Sequence, residues 1–169
     1  MRPSRFIVGW LAGLTATVPM SVAMAGMQQK LPLWERYALP PKLVTIRLLH
    51  RFGLFKQMKK SERNTLSLID HFGFGALMGG LYAALAAKIP LHPTLKGPLF
   101  GLAVWFGSYM GVLPALGILR PASQNPWRRS LLMIVAHLIW GLTLGLLTDW
   151  WQGQKQKEAE TEKETEKEA

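Results

Sequence analysis

Residues 71–79 read His71-Phe72-Gly73-Phe74-Gly75-Ala76-Leu77-Met78-Gly79, and residues 137–145 read His137-Leu138-Ile139-Trp140-Gly141-Leu142-Thr143-Leu144-Gly145. Each stretch places a histidine ahead of glycines four and eight residues later. A helix turns about 100° per residue, so positions i, i+4 and i+8 share one slowly drifting face. One imidazole and two bare patches of backbone therefore line a single stripe, once in each segment.

Both stripes lie in long apolar windows. About 20 mostly apolar residues cover the roughly 30 Å hydrocarbon core of a bilayer, and four windows meet that length: 6–27, 66–87, 97–119 and 131–151. The ionisable side chains inside them are Asp70, His71, His137 and Asp149, all toward window ends. A soluble core helix alternates apolar and polar faces, and these windows do not. The expected fold is all-α, an integral membrane four-helix bundle forming a single transmembrane domain over 1–151.

Charge is segregated to match. Apart from six glutamates in the last fifteen residues, the acidic residues are Glu35, Glu62, Asp70 and Asp149. Lys and Arg number 20 against 10 Asp and Glu, a net charge of +10. In a membrane chain that excess is first a topology signal. Nine basic residues stand between the first two windows and three between the last two, so the expected orientation puts both loops in the cytoplasm and both termini outside. Arg2, Arg5 and the Ala23-Met24-Ala25 triplet resemble parts of a signal peptide. The apolar region is long for one, and an uncleaved first span is expected. The absence of cysteine removes thiolate chemistry, and no nucleic-acid-binding motif is present. From Gln152 onward the chain is Gln, Gly, Lys, Glu, Ala and Thr, read as a disordered charged tail over 152–169.

Small residues recur at a spacing of four in every window. The first carries Gly9, Gly13, Thr17, Ser21 and Ala25; the second Gly75, Gly79 and Ala83; the third Ala103, Gly107, Gly111 and Ala115; the fourth Gly141 and Gly145. Lipid tails are as apolar as leucine, so membrane helices associate through close van der Waals contact, which small residues permit. Gly9, Gly13, Gly75, Gly79, Gly107, Gly111, Gly141 and Gly145 are accordingly the expected helix-packing positions. Pro19 and Pro114 fall late in the first and third windows, so the order of signals suggests a duplicated helical hairpin with parallel halves. The short loops predict antiparallel neighbours. Trp34, Trp127, Trp150 and Trp151 stand where span ends meet headgroups.

The first loop holds a helix of its own, expected over about 42–60. Val44, Leu48, Phe52 and Phe55 mark one face, with Lys42, Arg47, Arg51, Lys56, Lys59 and Lys60 around them. That pattern fits a helix in the membrane interface against anionic lipid headgroups, or one packed on the bundle, with Gly53 weakening either.

Two histidines entering the membrane from the same side can ligate haem or a metal, relay protons, or hold the bundle in register by hydrogen bonding to backbone. His71 and His137 are the candidate cofactor-binding residues, although packing alone accounts for the stripe and no cofactor is required. Asp70 can tune His71 or cap a helix, Asp149 reads as a wet span-end carboxylate, and His50 and His92 as lone loop histidines. Ser108 and Tyr109 lie in the third window without a base partner and read as packing and interhelical hydrogen-bonding residues. No phosphate-cradling loop, metalloprotease helix or nucleophile elbow is present, so no enzymatic activity and no catalytic residue are expected.

Gly9-Trp10-Leu11-Ala12-Gly13-Leu14-Thr15-Ala16-Thr17, Leu39-Pro40-Pro41, His71-Phe72-Gly73-Phe74-Gly75 and His137-Leu138-Ile139-Trp140-Gly141 together resemble the small uncharacterised bacterial inner-membrane proteins of the YagU type, over residues 5 to 150. The resemblance implies a multi-pass protein of the bacterial inner membrane and carries no activity with it. The expected function is structural or regulatory, with a homo-oligomer possible. The alternatives are a small oligomeric transporter or channel using Asp70, His71 and His137, and a bis-histidine haem or metal protein.

Overall fold

The computed structural model describes residues 3–86 and 88–168, with side chains described for 5–86 and 88–154. The described elements are helical: α1 (Pro3–Gln29), α2 (Pro40–Arg51), α3 (Lys60–Ala86), α4 (Pro93–Phe106), α5 (Leu113–Ala115) and α6 (Trp127–Glu168). A π-helical turn, Gly107–Val112, joins α4 to α5, so that Pro93–Ala115 forms one continuous third span. Together with Arg5–Gln29, Lys60–Ala86 and Trp127–Gln154 it makes four helices long and apolar enough to cross a membrane.

Small side chains are among the most enclosed, and large apolar ones cover the outer surface. Ala12, Ala16, Ala76 and Ala136 are wholly enclosed, whereas Val22, Ile69 and Phe106 stand 68%, 62% and 61% exposed. Alanine at the helix contacts and large apolar groups on the outer surface suit a hydrocarbon solvent, where tight backbone approach holds helices together, while Tyr82, Trp140 and Leu144 fill the centre.

That approach is closest at two glycine contacts. A Cβ added at Gly13 would overlap the carbonyl oxygen of Gly75, and one at Gly79 would overlap that of Gly9, so α1 and α3 meet backbone to backbone. The second contact is built the same way. A Cβ at Gly97 would overlap the Gly141 carbonyl oxygen, and one at Gly101 the His137 carbonyl oxygen, which brings α4 against α6. The two pairs join through α1 and α6, where Trp140 Nε1–H donates to the Gly13 carbonyl oxygen at 3.3 Å. In space the order is α3, α1, α6, α4.

Short loops led to the expectation of packed sequence neighbours, and the second and third spans depart from it. They run antiparallel but touch little, because their glycine faces are already engaged with α1 and α6. A cleft is left between them.

In the third span the expected packing stripe of Ala103, Gly107 and Gly111 is corrected. Nothing lies within 4 Å of where a Cβ would stand on Gly107 or Gly111. The glycines in contact are Gly97 and Gly101. Ala103 follows Gly101 by two residues, or about 200° of helix, so its stripe faces away from α6.

The loop helix also differs from its expected bounds of 42–60. α2 ends at Arg51, and the chain turns at Gly53, whose φ of +72° is a left-handed value that glycine adopts at low cost. The Leu54 N–H then returns to the Leu49 carbonyl at 2.9 Å. Thr45 and Leu49 form the buried face of α2 against α3, while Val44 and Leu48 are half-buried and Phe52 is 71% exposed. α2 is therefore packed on the bundle.

Two arginine clusters tie the loops together at this end. Arg47 and Arg51 donate to the carbonyl oxygens of Ile118 and Leu116. Arg129, buried in the first turn of α6, donates to the carbonyl oxygens of Glu35, Tyr37 and Ala38 at 2.6, 3.1 and 3.1 Å. At the far end of the chain the backbone stays helical from Gln152 to Glu168, where the composition reads as a disordered tail. Ala, Glu, Lys and Gln are strong helix formers that continue the preceding span.

Candidate functional site

The cleft between α3 and the third span has a volume of about 510 Å³. Phe74 and Met78 of α3 face Val104, Val112 and Leu113 of the third span, with Thr17 and Met20 of α1 and Trp140 of α6 also lining it. Val44 and Leu48 of α2 line it at the loop end. The walls are mostly apolar, and the polar groups come from few residues: Thr17, Asp70, His71, Ser108, Tyr109 and His137. A mostly apolar pocket with a few convergent polar groups is the usual form of a small-molecule site.

Both histidines of the paired stripe reach this one cleft. His137 is buried, and its Nδ1 lies 2.7 Å from the Met133 carbonyl oxygen. A carbonyl oxygen only accepts, so Nδ1 carries the hydrogen, and in the neutral ring Nε2 holds the lone pair. The same arrangement, with one ring nitrogen fixed by a carbonyl and the other left to accept, orients histidines that bind ligands. The Tyr109 ring meets that of His137 edge to face at 5.8 Å. His71 is half-buried, and its Nε2 is enclosed without a hydrogen-bond partner among the described residues. An enclosed polar atom without a partner costs roughly 1–3 kcal/mol, which a suitable ligand atom would relieve.

Asp70 is engaged by the loop helix. Its carboxylate accepts from Thr45 Oγ1 at 2.8 Å, a link between α3 and α2 at the mouth of the cleft. Asp149 is exposed on the other side of the bundle. Of the loop histidines, His50 stacks on Phe55 with ring centroids 3.9 Å apart, and His92 caps α4 by accepting from the Thr94 N–H at 3.4 Å. Among the described residues there is no group of three His, Cys, Asp or Glu side chains placed to hold a metal ion.

Ser108 and Tyr109, read from sequence as packing residues, stand in the π-helical turn and line the cleft. A π turn widens the helix locally and is frequent at functional sites. Sequence offered no signal for it, since π turns have no composition rule. The parts of the wall contributed by Thr17, Met20 and Trp140 were also not foreseen; Thr17 belongs to a small-residue stripe legible in sequence and Trp140 directly precedes Gly141, but their convergence needs the helix order.

A family model described as a protein of unknown function (DUF1440) matches residues 33–146. The chain belongs to that family. The match spans α2 through residue 146, nearly half-way along α6, and so contains both histidines and every wall of the cleft except the α1 residues Thr17 and Met20. No curated protein and no solved structure matches the chain significantly.

Proposed function

We propose that this DUF1440 member is a non-catalytic membrane protein, regulatory or structural in role, that holds a lipid-soluble molecule in the cleft between its second and third spans. The observation that carries the proposal is the pair of histidine Nε2 atoms in one apolar cleft, one enclosed without a partner and the other left with a lone pair by the Met133 hydrogen bond. The ligand that answers both is an apolar chain ending in a hydroxyl, such as a long-chain alcohol, whose O–H donates to His137 Nε2 while its oxygen accepts from His71 Nε2–H in that tautomer of the ring. Ser108 and Tyr109 add hydroxyls to the same wall. Beyond the cleft the gap between α3 and α4 is crossed by the Tyr82 ring, 5.3 Å from that of Phe100, which in turn lies 6.1 Å from the Trp140 ring, and this favours holding a ligand over passing it across.

The resemblance to YagU-type proteins supports a place in the bacterial inner membrane. The surplus of basic residues around α2 supports a cytoplasmic position for that end. Single cysteines introduced into this thiol-free chain at Gln57 and Gln152 are expected to react with an impermeant maleimide from the cytoplasmic and the outer side respectively. The reverse pattern overturns the orientation.

The ligand reading is tested with a diazirine-bearing long-chain alcohol photocrosslinked to the purified protein and mapped by peptide mass spectrometry. Labelling is expected to concentrate on Phe74, Met78 and Val104 and to fall about tenfold in His71→Leu combined with His137→Leu, the loss expected from one or two buried hydrogen bonds. Labelling spread evenly over the lipid-facing Val22, Ile69 and Phe106, or unchanged in the double variant, overturns it. A Soret absorption band in the purified protein would replace it with the bis-histidine haem reading.

A further inference from the structure

A second cavity, of about 350 Å³, opens at the loop end of the bundle and meets the histidine cleft only at Tyr109. Its wall carries three arginines, Arg47, Arg120 and Arg129, with Gln124, Asn125 and Ser130, and includes no carboxylate. The single ion pair among the described residues, Arg128 with Glu35 at 4.0 Å, involves neither the wall nor its arginines. Arg47 and Arg129 spend part of their donor capacity on backbone carbonyls, which hold the guanidinium groups in place; the buried Glu35 carboxylate behind the wall offsets part of the Arg129 charge, whereas neither Arg47 nor Arg120 forms an ion pair with a described carboxylate. Arg120 is exposed and has no hydrogen bond to a described residue. The indole N–H of Trp105, at the membrane side of the same wall, is enclosed and lacks an acceptor.

Charged donors converge on this wall without a carboxylate among its lining residues, so the group that complements it is an anion rich in acceptors. Guanidinium groups match phosphate oxygens through their planar fork. Asn125, Pro126 and Arg129 also bring the first turn of the 42-residue α6 to the wall, and the positive end of a helix dipole adds to the attraction for an anion. The depth of the cavity selects the source. It lies between the ends of the third and fourth spans and the loops, with Trp105, Leu132 and Met133 on its span side and Arg120 and Gln124 on its loop side. A boundary between apolar span ends and polar loops is where headgroups meet a membrane-spanning bundle.

We infer that this cavity binds the phosphate of an anionic phospholipid headgroup, with Arg47, Arg120 and the Trp105 indole as the donors to it. The site is separate from the histidine cleft and does not depend on what that cleft holds.

The full chain in detergent, titrated with dioleoylphosphatidylglycerol or dioleoylphosphatidylcholine and followed by native mass spectrometry, tests the inference. Saturable one-to-one adducts with phosphatidylglycerol, at least several-fold stronger than with phosphatidylcholine, are expected. Arg120→Gln is expected to weaken them about fivefold, in line with the contribution of one basic residue near an anionic surface. Trp105→Phe, which keeps the ring and removes the donor, is expected to weaken them by a smaller factor. Lys56→Gln, an equally exposed cation outside the cavity, is expected to leave them unchanged. Inorganic phosphate that displaces phosphatidylglycerol supports the phosphate as the recognised group. Phosphate that binds as tightly without a lipid preference overturns the lipid source. Equal adducts with both lipids, or equal losses in Arg120→Gln and Lys56→Gln, overturn the site.

Discussion

Gly13→Leu is expected to separate α1 from α3 and to lower the unfolding midpoint of the protein in detergent by roughly 6–12 °C, whereas Gly107→Ala is expected to leave it unchanged or slightly raised. A Cβ at Gly13 overlaps the Gly75 carbonyl oxygen and comes within 2.8 Å of the Gly79 Cα. Both obstacles are backbone, so no rotamer change relieves them, and the helices must move apart. Overpacking typically costs about 1–3 kcal/mol and occasionally more, and this position belongs at the upper end because the displaced helix also carries Thr17 and the Trp140 bond to Gly13. About 3 kcal/mol corresponds to the stated shift in a chain of this size. Gly141→Leu, facing the Gly97 carbonyl oxygen and the Pro98 Cα, is expected to act the same way on α4 and α6. At Gly107 nothing meets the added methyl, and alanine is the better helix former by up to about 1 kcal/mol. If Gly13→Leu unfolds at the same temperature as the native chain, the close contact of α1 with α3 is not what holds the bundle.

Arg129→Met is expected to cost roughly 2–4 kcal/mol, read as a lower midpoint of unfolding together with faster proteolysis between residues 30 and 39. One guanidinium satisfies three carbonyl oxygens, from Glu35, Tyr37 and Ala38, and lies over the Tyr37 ring with its central carbon 3.6 Å from the centroid. Methionine fills similar volume but leaves three acceptors without donors. Each unsatisfied buried group costs roughly 1–3 kcal/mol, reduced here where the loop can admit water. Arg129→Lys is expected to restore less than half of the loss, because an ammonium group lacks the planar fork that reaches several carbonyls at once. Full rescue by lysine would show that charge alone, and not the three-carbonyl clamp, secures the first loop to α6.

The two substitutions sit at opposite ends of what the sequence discloses. Gly13 was visible in sequence because a spacing of four on an uncharged helix has one physical reading, close packing in lipid. Arg129 was visible only as one of three basic loop residues. Its partners are 91 to 94 residues away and are backbone carbonyls, which have no sequence signature. The same contrast holds within the candidate site. His71 and His137 could be placed on equivalent faces of two parallel helices from their glycine spacing. Whether those faces met each other, a neighbour or lipid depended on the order of the helices. The third span shows the limit most clearly: two small-residue stripes run along it about 200° apart, and only contact with α6 selects Gly97 and Gly101 over Gly107 and Gly111.

By itself the sequence determined that the chain is all-helical, has four spans of membrane length and packs through small residues, because hydrophobic length and helical periodicity are local properties of the chain. It also determined that His71 and His137 occupy matching positions in their helices. The tertiary structure decided that the second and third spans stand apart while each is zipped to a different partner. It thereby opened the cleft that receives both histidines, and it gathered three arginines around a cavity without a carboxylate. These are consequences of which faces meet, and a helix with several faces fit for packing does not specify its neighbour until the whole bundle is assembled.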